Sequence, residues 1–201
     1  MSASPTDRAG SVTPPGGYGG VMRAIHWTTP VLLIAVYTLA WSIDGAGSRD
    51  EAMWLTMMHR SFGLTILALT LFRLVWRQIS HIPALPESLP RLQRIAARLV
   101  TAALYLLLLL QPLLGLTASE AHGDRIRVFD AFTVPLLMAT NRPVSRQIFA
   151  VHGMVALVIL AVVGLHACAA LYHHFVLRDE VLRGMLPSLR PLSRRRDPTA
   201  A

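Results

Sequence analysis

Charge is scarce in this chain of 201 residues: 15% of them are charged, against roughly a quarter in ordinary soluble proteins. With 53% apolar residues, the composition excludes an ordinary soluble domain and points to a single membrane domain. Cysteine is nearly absent. The one thiol, Cys168, excludes an internal disulfide and any C-x-x-C site, and is expected to be buried and inert. Lysine is missing, so all nineteen cationic side chains are arginines, which by itself excludes nothing. Their placement at the ends of apolar runs argues against a basic face for nucleic acid. Residues 1–20 lack an apolar segment and read as a disordered tail rather than a cleavable signal. Residues 187–201, with Arg194, Arg195 and Arg196, read as a second, basic tail.

What the chain does have is four apolar runs long enough to span a bilayer. They cover Ala24 to Ile43, Met53 to Trp76, Leu99 to Ala118 and Ile148 to Phe175. The expected fold is therefore all-α, a transmembrane four-helix bundle over residues 21–186. Trp27, Tyr37 and Trp41 suit the ends of the first span, and Gln111-Pro112 is expected to kink the third. With the N-terminus inside, the cytoplasmic segments carry thirteen arginines and the outer connections six, whose charge six acids cancel. The positive-inside rule then puts both termini in the cytoplasm.

Histidines inside these runs carry the chemistry. His152 and His166, fourteen residues apart, lie ~21 Å apart on nearly one face of a helix at ~1.5 Å rise per residue. Intramembrane imidazoles are costly unless bound to something. The alternating topology sorts four of them into two level pairs, His26 with His166 near the cytoplasm and His59 with His152 near the outer face. Two facing imidazoles suit haem iron, which needs only axial ligands, whereas zinc wants four donors. Without a C-x-x-C-H motif the haem would be non-covalent, b-type.

Other positions have two readings each. Gly63, Gly153 and Gly164 either admit a flat macrocycle or serve helix packing. Arg23 and Arg60 are candidate propionate contacts; Arg60 could instead snorkel to the interface, the expectation for Arg73. His81 and His122 are expected in solvated loops. His173, seven residues beyond His166, would contact a propionate, a quinone or a shuttled proton, or would be an interfacial polar residue, as would its neighbour His174. Outer arginines Arg60, Arg125, Arg127, Arg142 and Arg146 either attract a small anion or pair with acids such as Asp124 and Asp130. Val128 to Met138 is apolar enough to lie on the membrane surface over the outer site.

These residues resemble the bacterial cytochrome b561 family of four-helix, di-haem inner-membrane cytochromes. The resemblance runs from about residue 18 to 187. It rests on Arg23-Ala-Ile-His26-Trp27, His59-Arg-Ser-Phe-Gly63, Leu104-Tyr105, Pro112-Leu-Leu-Gly115, and the fourth-span block from Gly164-Leu-His166 to His173-His174-Phe, then Asp179 and Met185-Leu186-Pro187. It implies axial ligation by His26, His59, His152 and His166, two b haems, and electron transfer between a donor and the ubiquinone pool. Some members are similar to superoxide oxidases. Thr101 stands where members commonly carry a histidine, and Gly184 where an arginine is usual. The rival expectations are a cytochrome subunit serving a partner dehydrogenase or hydrogenase, and a haem-free metal-binding transporter or membrane anchor. The lack of intramembrane acids speaks against the last.

Overall fold

The computed structural model describes residues 18–80, 89–135, 137–179 and 182–186. The polar stretch 1–17, His81, and the tail 187–201 with its arginine run lie outside these residues. Four helices dominate: α1 (Gly20–Ile43), α2 (Arg49–Ile79), α3 (Arg91–His122) and α4 (Arg142–Tyr172). All four are long and apolar enough to cross a membrane. The shortest, α1 with 24 residues, is ~36 Å long at ~1.5 Å per residue, more than the ~30 Å hydrocarbon core.

Each helix begins before its apolar run, and in α2 and α4 a side-chain cap sets the start. Ser48 accepts from Glu51 N, while the Glu51 carboxylate takes Gly47 N at 2.8 Å, so polar residues start α2 ahead of Met53. Asn141 caps α4 in the same way through Val144 N. Gly123 ends α3 in the left-handed region, with φ 91° and its N–H on Glu120 O. His122, expected in a loop, is instead the exposed last residue of that helix. Pro112 lies within α3 without ending it.

The helices pack as two antiparallel pairs, α1 on α2 and α3 on α4, joined by a narrower α2–α3 seam. Tyr37 crosses between the pairs, donating to Ala156 O of α4 at 2.5 Å. The interior is unusually polar: Ser61, Ser119 and Ser145 are fully buried, and Ser145 Oγ clips α4 to Ala118 O of α3 at 2.8 Å. Large apolar side chains such as Ile34, Phe72 and Leu106 point outward. That inversion is what lipid requires, since it is as apolar as leucine and does not drive helices together. It also corrects the expectation for Cys168, which is exposed on the outside of α4: an apolar run does not imply an inward face in a membrane.

One end of the bundle carries the start of α1 and the segment 182–186, here called the tail end, and the other a small hairpin, β1 (Arg127–Val128) with β2 (Phe132–Thr133), pairing Val128 with Phe132. Its turn forces Phe129 and Asp130 to φ 48° and 59°, costly for a bulky residue. Two contacts with α2 hold it there: Phe129 N donates to Ser61 Oγ at 2.8 Å, and the Phe129 ring meets Phe62 edge-on at 5.4 Å. The expected surface-lying segment is thus, in its first half, a hairpin fastened over α2.

A side chain at Gly123 would be doubly strained, by its φ and by a Cβ 2.9 Å from Thr140 Oγ1. Gly123→Ala is expected to destabilise the protein by about 1–2 kcal/mol, read from chemical denaturation in detergent. Unchanged stability would show that this cap does not hold the α3 end.

Candidate functional site

Two histidine pairs lie inside the bundle. At the hairpin end, His59 of α2 faces His152 of α4 with ring centroids 6.3 Å apart and planes crossed at 75°. At the tail end, His26 of α1 faces His166 of α4, also at 6.3 Å, with planes crossed at 69°. These are the pairs that alternating topology anticipates.

The hairpin-end rings are held by neighbouring backbone. His59 Nδ1 lies 2.9 Å from Val36 O of α1, and His152 Nδ1 lies 3.1 Å from Gln111 O of α3. A carbonyl only accepts, so each Nδ1 carries the proton and each Nε2 keeps its lone pair. That is the tautomer a metal ligand needs, oriented by an outer hydrogen bond. Gln111 returns the contact, its Nε2 donating to His152 O at 3.0 Å. Gly115 makes room: a Cβ there would stand 3.1 Å from His152 Cε1.

The spacing can be tested against haem. Two facing imidazoles that each placed a nitrogen about 2 Å from a shared metal, with the ring centre about 1.1 Å further back, would have centroids ~6 Å apart. Both pairs meet this. Among the described residues no group of three or more His, Cys, Asp or Glu could hold a metal ion, so each site offers two imidazoles. A tetrapyrrole supplies the remaining donors itself. Beside the hairpin-end pair lies a cavity of about 440 Å³ walled by residues such as Leu33, Leu64, Leu108 and Ile159, within the usual ~300–1,000 Å³ of cofactor sites. Gly63 and Gly153 line it, and a Cβ at either meets nothing within 4 Å. Close helix packing does not explain these two glycines; space for a flat group does. Gly164, near the tail-end pair, is equally open. The residues fit haem.

The remaining candidates fall differently. Arg60 lines the cavity but is ion-paired with Asp124, so its guanidinium is already engaged. Arg127 pairs with Asp130 at 3.0 Å. Arg23 Nη1 donates to Leu186 O at 3.1 Å, beside Trp27 Nε1 on Met185 O at 2.8 Å. Tyr18 N likewise donates to Gly184 O at 3.1 Å, and the segment 182–186 is thereby folded onto the start of α1. His173 joins neither pair. It opens a π-helical turn, His173–Leu177, that loops Asp179 back until its Oδ2 lies 2.5 Å from His173 Nδ1. The snorkelling expected of Arg73 is corrected: its Nη2 lies 3.4 Å from His26 Nδ1 and its guanidinium stands 5.5 Å from the Tyr105 ring centre. Sequence reasoning missed the positioning roles of Gln111, Gly115 and Val36. An amide after a five-leucine block was the one available signal.

The model of the prokaryotic cytochrome b561 family matches residues 17–188. The chain belongs to that family. It is similar to cytochrome b561 homolog 2 of Escherichia coli K12, 30% identical over 86% of this chain and 92% of that protein. The probable superoxide oxidase CybB of Yersinia pestis is also 30% identical, over 86% and 97%. Cytochrome b562 of Cereibacter sphaeroides is 29% identical over 85% and 95%. Membership makes this cytochrome b561 relative a bacterial membrane protein of an electron-transfer family whose prosthetic group is b-type haem.

Gly115→Val places two methyl groups where the His152 ring lies. Haem content per chain is expected to fall, by the pyridine haemochrome assay; unaltered content would mean that Gly115 does not govern that ring.

Proposed function

We propose that this protein carries electrons across the membrane through two b haems, one held by His59 and His152 and the other by His26 and His166. The observation that carries this reading is the matched 6.3 Å centroid spacing of two crossed imidazole pairs, one toward each end of the bundle. The haems, when bound, supply reversible one-electron chemistry. The chain's own residues orient the ligands through the Val36 and Gln111 carbonyls, leave flat space at Gly63 and Gly153, and exclude water with an apolar wall.

Arginine placement, thirteen on the tail side against six on the hairpin side, supports cytoplasmic termini. The hairpin end then faces the periplasm. There the exposed Arg125, Arg142 and Arg146 favour approach of a small anion, and superoxide is the donor this reading takes, as the name of the Yersinia pestis relative suggests. Ubiquinone is the acceptor at the cytoplasmic end, where His173, oriented by Asp179, is the candidate contact. The balance is simple: two superoxide anions give up one electron each and leave as dioxygen, while one quinone takes two electrons and two protons.

Each of His26→Ala, His59→Ala, His152→Ala and His166→Ala is expected to lose one haem, the two members of a pair losing the same one by optical spectrum. Loss of different haems within a pair would refute the pairing. Purified holoprotein is expected to reduce a soluble ubiquinone with superoxide from xanthine oxidase, leaving no such excess in the haem-free form. Equal rates for the two forms would remove superoxide as donor.

A further inference from the structure

Arg73 carries a charge inside a membrane-spanning helix, where unpaired charge is expensive, and its surroundings give it little. The contact to His26 Nδ1, at 3.4 Å, is longer than an ordinary hydrogen bond. Its Nε is buried with no hydrogen-bond partner. The Tyr105 ring face offers a cation–π contact, shared with Arg77 at 6.0 Å. Among the described residues no carboxylate pairs with it. The hairpin end is different: Arg60, the cation in the cavity wall, is neutralised by Asp124. The two histidine pairs therefore sit in unequal fields, one beside an uncompensated guanidinium and the other beside an ion pair.

We infer that Arg73 is a positioning charge that holds the haem of His26 and His166 at a higher reduction potential than the haem of His59 and His152. The inference rests on the two-haem reading above. Oxidised haem iron carries one more positive charge than reduced, so a nearby cation disfavours the oxidised form. Guanidinium cannot shed its proton, and salt screens little inside a membrane domain. A haem carboxylate docking on the free Nε would not change the sign, because removing Arg73 would then leave that carboxylate uncompensated. Electrons entering at the hairpin end would thus run downhill toward the tail end. Arg73 would set direction without touching a substrate.

The test is a spectroelectrochemical titration of the full-length, haem-loaded protein, with the components assigned through His59→Ala and His152→Ala. Arg73→Gln is expected to lower the higher potential and leave the lower one in place, with Arg73→Lys restoring most of the difference. Asp124→Asn releases Arg60 from its partner and is expected to raise the lower potential, narrowing the gap. An Arg73→Gln protein that keeps both haems and titrates like the parent overturns the inference, as does a shift confined to the His59/His152 haem. If Arg73→Gln loses a haem, Asp124→Asn decides, and an unaltered gap there overturns it. A parent protein with fewer than two haems instead overturns the reading beneath.

Discussion

An imidazole in the interior of a membrane bundle has two nitrogens to satisfy and no water to satisfy them. At the hairpin end this constraint is met by one arrangement used twice. The Val36 carbonyl of α1 takes the His59 proton of α2, and the Gln111 carbonyl of α3 takes the His152 proton of α4. Each antiparallel helix pair thus presets one ring, and the second nitrogen of each is left for a shared partner. Ring orientation follows from helix pairing, and helix pairing is the most extensive packing in the molecule.

Both sites draw one histidine from each half of the bundle. His26 and His59 belong to the α1–α2 half, while His152 and His166 both belong to α4 of the other half. Lipid supplies little drive to bring the halves together, and the α2–α3 seam between them is narrow. A group ligated from both sides would join them at two depths, so binding and assembly are thermodynamically linked. The hairpin adds a further tie near one site, through Ser61 and Phe62 of α2.

Much of this was legible in the chain itself. Four apolar runs became four helices, and their alternating direction alone sorted four histidines into the two pairs that face one another. Side-chain direction was less legible. Arg73 reads as an interfacial arginine because hydropathy records distance from a span's end and not which face a residue occupies. Arg60 takes one of its expected roles, pairing with Asp124 64 positions away, and only the fold decides among them. Cys168 misled because an apolar position in a membrane helix faces lipid as readily as the interior. Gln111 and Gly115 act through a backbone carbonyl and a missing Cβ, features that leave almost no trace in composition.

If two b haems are bound as proposed, each would be held between two imidazoles whose planes cross steeply, at 69° and 75°. Electron paramagnetic resonance of the oxidised protein reads this directly, since crossed axial imidazoles give low-spin ferric signals of unusually high anisotropy. The account predicts two such signals of equal weight per chain. High-spin iron, or a single low-spin centre, would contradict it.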